Sequence, residues 1–217
     1  WEQDQLSSLF HFSNGFNGSA ELYGKGVPFI SVLDILNNDY ITYDNIRGRV
    51  SIDKSTLSRF AVEYGDVVFQ RSSENREDAG SSNVYIGDKP VAFGGFVIRG
   101  KKTTDNDDAI FMKNLLDSKS IREQISSKAQ GAQHINVSQE TLSDVLVKKP
   151  GKEEQEKIGK LLYRIDLLIS AQQKKNEKLI ALKKAMLDKM FPHEGEKYTE
   201  IRFNGFTEPW EQRKLKD

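Results

Sequence analysis

The stretch EEQEKIGKLLYRIDLLISAQQKKNEKLIALKKAMLDKM, residues 153–190, decides how this chain is organised. Its apolar positions recur every seven residues. Ile158, Ile165, Leu179 and Met186 fall on one site of the heptad, and Leu161, Leu168 and Leu182 on the other. Leu162, Ile169 and Met190 widen the stripe, while Gln172 and Lys175 make its middle polar, which costs stability but selects register and partner. Pro150-Gly151 punctuates the chain before it, Glu153-Glu154 complement the positive helix N-terminus, and Phe191-Pro192 ends it. At 1.5 Å per residue this predicts a helix of roughly 57 Å, longer than a typical globular helix. A rod of that length cannot bury a two-sided stripe on a small domain, so pairing with a second helix is expected through Ile158, Leu161, Leu162, Ile165, Leu168, Ile169, Leu179, Leu182 and Met186.

N-terminal to the rod the periodicity changes. Val27–Val32, Val67–Gln70, Val84–Ile86 and Phe96–Arg99 read as strands, separated by turn signals at Asn14-Gly15, Asn17-Gly18, Tyr64-Gly65-Asp66, Gly87-Asp88 and Gly94-Gly95. From Asp107 to Ala129 the spacing is helical, through Ile110, Phe111, Leu115, Ile121 and Ile125, with Asp117 and Ser118 placed to cap a second helix. Ser138 is a candidate N-cap for a short helix before a last strand at Val145–Val147. The predicted fold class is α+β: a small domain with a twisted, mostly antiparallel sheet and short helices over residues 1–150, one long coiled-coil helix over 151–192, and a linker with the start of a second repeat over 193–217. The repeat is read from Trp1-Glu2-Gln3 and Trp210-Glu211-Gln212, since the two tryptophans of the chain head the same tripeptide.

Composition narrows the function. No run approaches the length of a membrane span, and Trp1–Gln5 lacks the basic start and apolar run of a signal peptide, so a cytoplasmic protein without membrane contact is expected. The absence of cysteine removes disulfides, thiolate nucleophiles and cysteine zinc sites. Thirty-two basic residues balance 32 acidic ones. Up to Pro150 there are 17 basic against 20 acidic, and beyond it 15 against 12. Nucleic acid could therefore be held only by local patches.

No GxGxxG, Walker lysine loop, HExxH or Asn-Pro-Pro-aromatic sequence occurs, and His11, His134 and His193 lack metal-ligand spacing. No nucleophile, metal set or acid/base pair supports an enzyme, and no metal or cofactor is expected on this chain. Two segments carry recognition chemistry. One is the exit of the Val67–Gln70 strand, with Arg71, Ser72, Ser73, Asn75 and Arg76, where arginine forks and hydroxyls suit base edges and phosphates as well as an ordinary surface loop. The other is the amide-rich loop with Gln130, Gln133, His134 and Asn136, suited to adenine edges and equally to a plain turn. Arg47, Arg49, Lys101 and Lys102 are secondary candidates for phosphate contacts.

Gly26–Ile30, Gly65–Phe69 with Arg71, Gln133–Ser138, Pro150 with Glu154–Ile158, and Leu182-Lys183-Lys184 through Met190-Phe191 together resemble specificity subunits of Type I restriction-modification systems. The resemblance covers nearly the whole chain. Such subunits hold two target recognition domains, each followed by a long helix, with the helices paired antiparallel as a spacer. This chain resembles one such half, followed by Arg202–Phe206 and Trp210–Asp217 as the opening of the next. The resemblance implies reading of one half of a bipartite site on double-stranded DNA. It also implies two modification subunits that methylate adenine with S-adenosylmethionine, and a translocating restriction subunit, with ATP and Mg on the partners. Two copies paired through their helices, as a homodimer, would mimic a whole subunit. The competing reading is a coiled-coil structural or protein-interaction module with an α+β head.

Overall fold

A computed structural model describes residues 1–131, 133–211 and 213. Ala132 of the amide-rich loop, and Gln212 and 214–217 of the expected second-repeat opening, lie outside the described residues. The chain forms two compact units, Trp1–Arg164 and Ile165–Asp217. The first begins with β1 (Glu2–Gln5), α1 (Leu6–Leu9), β2 (Phe10–Asn14), β3 (Tyr23–Ile30), α2 (Val32–Asn37) and β4 (Gly48–Val50). It continues with α3 (Lys54–Arg59), β5 (Val67–Gln70), β6 (Ser72–Ser73), β7 (Ser82–Val84), β8 (Ala92–Phe93) and β9 (Val97–Lys102). It ends with α4 (Ala109–Leu116), α5 (Lys119–Lys128), β10 (Ile135–Asn136), α6 (Gln139–Ser143), β11 (Leu146–Lys149) and the start of α7 (Lys152–Met190). The fold is α+β with mostly antiparallel pairing and one long C-terminal helix, as the sequence predicts.

The central antiparallel sheet has the order β2-β9-β5-β7. Strand β5 and the first four residues of β9 are buried because both faces of the sheet are covered. Val67, Phe69 and Ile98 join a core built with α4, α5 and α6, whereas Val68 and Val97 join a second core with Ile30, Ile35 and Phe93. The second sheet, β4-β3-β8, includes the parallel pair β3–β8.

Some boundaries differ from the expected ones, each for a local reason. The strand expected to reach Val32 stops at Ile30, because the Asp34 carboxylate accepts the Ser31 N–H at 2.8 Å and a capping box starts α2. The first expected residue of the Phe96–Arg99 strand is instead the third residue of the turn Gly94–Val97, closed by Val97 N–H to Gly94 O at 2.9 Å. The last strand runs to Lys149 and pairs with β1, Glu2 opposite Lys149. Glu2 and Gln3 of the opening tripeptide are thus part of a strand that flanks the entry to the long helix.

The first turns of α7 belong to the domain. Gln155 is buried. Its Oε1 accepts the Asp108 N–H at 3.1 Å, and its Nε2 donates to Asp107 Oδ1 at 3.0 Å and Pro150 O at 2.9 Å. A Cβ at Gly159 would stand 2.3 Å from Asp108 Oδ1, so glycine permits this close approach. Ile158 packs on the main core, and Tyr163 meets Tyr40 edge-on at 5.2 Å. Ile158, expected in the pairing stripe, is therefore used inside its own domain.

In the second unit Ile165, Leu168, Ile169, Leu179 and Leu182 are exposed along the helix. The segment expected as a linker folds back on the helix end. Ile201 N–H donates to Lys189 O at 3.0 Å, Glu200 pairs with Lys189 at 2.6 Å, and Trp210 packs on Phe191 at 5.8 Å. Among the described residues no helix is long and apolar enough to cross a membrane.

Candidate nucleic-acid interface

The two candidate segments, far apart in sequence, meet in space. Strand β5 is buried throughout and delivers Arg71 to the edge of the domain as the chain leaves the sheet. Arg71 is held by its backbone: its N–H donates to Phe96 O at 2.9 Å and its carbonyl accepts the Val137 N–H at 2.9 Å. Its guanidinium is exposed, with one long bond of 3.4 Å to Gly95 O.

Directly after it, β6 pairs antiparallel with β10, Ser72 opposite Asn136 and Ser73 opposite Ile135. The Ser72 hydroxyl donates to the Asn136 side-chain oxygen. Backbone bonds in both directions between Gln130 and Asn136, at 3.0 and 2.7 Å, close the amide-rich loop. Gly131 makes that closure possible. Its φ is +125°, and a Cβ there would lie 2.0 Å from His134 O, so both conformation and space exclude a side chain. Asn136 donates to His134 O at 3.1 Å, which spends its amide on shaping the loop. The side chains of Gln130, Gln133 and His134 are exposed and make no hydrogen bond to another described residue. A cleft of about 380 Å³ lies between the segments, lined by Arg71, Gln130 and Asn136 together with Asn14, Gln139 and Glu140. Donors and acceptors of both kinds converge on it, the chemistry that discriminates base edges.

Other predicted residues are placed elsewhere or used otherwise. Arg76 Nη1 donates to Ser126 O at 3.0 Å and Ala129 O at 2.8 Å, satisfying carbonyls at the end of α5. Asn75 is tied to Ser73 and Asp78. Lys101 and Lys102 emerge at the other end of the sheet. Val97 pairs with Gln70 and Gly100 with Val67, so the lysines lie roughly 17–20 Å along the strand from Arg71 at 3.4 Å per residue. Both are ion-paired there, Lys101 with Glu63 at 3.3 Å and Lys102 with Asp105 at 2.6 Å. Arg49 is turned onto Ile46 O and Gly48 O, whereas Arg47 is exposed at the end of β4 that faces the end of β3, next to which Gly94 is bonded.

The sequence reading missed three features. Phe96, 71% exposed, stands beside Arg71 at the tip of the Gly95-Phe96 turn. Asn14 lines the cleft, and Asn17 packs on Gly95 so closely that a Cβ there would meet its amide oxygen at 2.0 Å. Asp66 is buried and accepts the N–H groups of Glu63 and Lys102, both at 3.0 Å. Burial pushes its carboxyl above the usual carboxylate range, opposed by those two bonds and by the Arg99 and Lys101 charges.

Residues 1–181 match the family model of the Type I restriction modification DNA specificity domain. The chain belongs to this family. Its members specify DNA and are not its catalysts. Three solved structures share the fold of this specificity domain. One is a chain of a type I R-M system solved for its complex assembly and conformational transition, with TM-score 0.61 and 22% identity over 87% of this chain and 45% of that one. The HsdS subunit from Thermoanaerobacter tengcongensis gives TM-score 0.57 and 21% identity over 88% and 44%. The Type I S subunit from M. genitalium gives 0.54 and 19% over 88% and 46%. The specificity domain thus spans about half the length of these relatives. No curated protein matches it in sequence.

Proposed function

We propose that this chain is a sequence-specific DNA recognition unit of a Type I restriction-modification complex, reading one half of a bipartite target and docking modification subunits. The observation that carries the reading is the β6–β10 pairing, which gathers Arg71, Ser72, Gln130, Gln133, His134 and Asn136 on one edge of a rigid domain. Recognition residues mounted on strand ends are held more firmly than residues on long loops. Arg71 is the strongest candidate for a bidentate contact to guanine, and the exposed amides for adenine. Exposed Arg47 remains a candidate for a phosphate contact; Lys101 and Lys102 would touch DNA only if it ran along the far end of the sheet.

The exposed stripe of the second unit supports the other half of the proposal. Leu168 is 71% exposed, and Leu179 and Leu182 are each 53% exposed. Covering them with the same helix of a second copy gives two readers on one spacer and a target with two symmetric half-sites. S-adenosylmethionine, ATP and Mg would then reside on the modification and restriction subunits. Cytoplasmic location follows from a DNA target.

The test is co-expression with a modification subunit of a Type I system, followed by sequencing of host DNA for methylated adenine. A bipartite methylated motif is expected. A stable complex that methylates nothing would show that one recognition unit is insufficient. Failure to form any complex would favour the coiled-coil interaction module.

A further inference from the structure

Phe96 is a large aromatic that the reading of Arg71 and the amide loop does not use, and its mounting is unusual for an exposed apolar residue. The turn that carries it is pinned on every side. Val97 N–H closes it onto Gly94 O at 2.9 Å, Gly94 N–H bonds Ile30 O at 3.0 Å, and Arg71 N–H bonds Phe96 O at 2.9 Å. Glycine at 94 and 95 lets neighbours press against the turn: a Cβ at Gly94 would stand 2.9 Å from the Phe29 ring, and one at Gly95 would coincide with the Asn17 amide. The backbone under the ring is therefore rigid while the ring itself is 71% exposed.

What surrounds the ring indicates its partner. The ring shares a mostly apolar cleft with Phe16, Tyr23, Phe29 and Leu33, but Arg71 reaches Gly95 O on one side and Asn17 packs on Gly95 from the other, so two hydrogen-bonding groups flank the aromatic. An apolar protein surface would have to desolvate both to cover the ring. A base step satisfies all three at once, because it offers π-faces to the ring and polar edges to the arginine and amide. Resting on the DNA-reading function above, we propose that Phe96 is a wedge that inserts into a base step of the target duplex next to the bases read by Arg71, unstacking that step. The ring adds affinity and deformability-based selection at a position that makes no hydrogen bond to the protein.

The test uses the full chain and a random-sequence duplex pool. The wild type is used to enrich a motif, 2-aminopurine is then placed at each purine of that motif, and fluorescence is read on binding. A several-fold rise at one step is expected for the wild type and for Phe96→Trp. Phe96→Ala should recognise the same motif with roughly ten-fold weaker affinity and no rise at that step. Its melting temperature should stay within a few degrees of wild type, because the ring packs on little. Equal affinity and an equal fluorescence response in Phe96→Ala would overturn the wedge while leaving DNA reading intact. Loss of modification-subunit binding with unchanged DNA binding would overturn it in favour of a protein-docking role. Failure of the wild type to enrich any motif would overturn the DNA reading and the wedge together.

Discussion

Arg71 owes its position to two backbone bonds, to Phe96 O and from Val137 N–H, so replacing its side chain should leave the structure nearly unchanged and, on the proposed function, remove a base contact. Arg71→Ala should cost about 1–3 kcal/mol of half-site binding and relax preference at one or two positions, measured by competition among duplexes. Arg76 looks equivalent in sequence but behaves oppositely: its guanidinium satisfies two helix-end carbonyls, so its removal unpins α5. Gln155 is the buried counterpart at the other end of the domain. Gln155→Leu strands the Asp108 N–H and the Pro150 carbonyl, and should cost about 2–3 kcal/mol, a fall of roughly 5–10 °C in Tm. Asp66 predicts a pH signature. Its folded carboxyl binds a proton more readily than in the unfolded chain, so across the window from about 3.8 up to its raised value this group contributes less stability as pH rises. The stability advantage of wild type over Asp66→Asn should shrink as pH rises through that window, read by thermal melts in a pH series. A constant difference would place the stabilisation in its hydrogen bonds alone.

The elements follow local rules closely enough to be read from sequence where those rules act alone. Ser138 caps α6 by accepting the Thr141 N–H at 3.0 Å, as expected from residue type, whereas Ser118 occupies the N-cap position of α5 without a side-chain cap bond. The errors fall where a side chain outside the strand pattern intervenes, as Asp34 does at the start of α2 and the glycine pair does before Phe96. The long helix is the element with the clearest signature, yet its first turns serve the domain through Gln155, Ile158 and Gly159, which the heptad alone does not reveal. If the remaining length sets the distance between two readers, inserting one heptad between Gln172 and Lys175 adds about 10 Å of helix, near three base pairs at 3.4 Å each. The methylated motif should then widen its spacer by about that amount. An unchanged spacer would mean that the helix is not the ruler.

At the scale of the whole molecule, the exposed leucines of the second unit and the half-length match to its structural relatives make one prediction together. Sedimentation at micromolar concentration should give twice the chain mass, and Leu168→Asp with Leu182→Asp should return a monomer whose recognition domain still melts cooperatively. A wild-type monomer would instead leave the stripe to a second helix on a different chain. The neutral overall charge fits recognition by a local edge and not by a basic surface. What the sequence by itself determined was local: the heptad and its ends, the strand Val67–Gln70, the start of α6 at Ser138, and the motifs that mark the specificity family. These are encoded within one or two turns or strands. Only the tertiary structure decided that Ser72 and Asn136, 64 residues apart, share a hydrogen bond, that Phe96 points outward beside Arg71, that Arg76 bonds the carbonyls at the end of α5, and that Lys101 and Lys102 leave by the opposite end of the sheet. The physical reason is that strand pairing and register place a side chain relative to distant segments, and no periodicity within a segment carries that information.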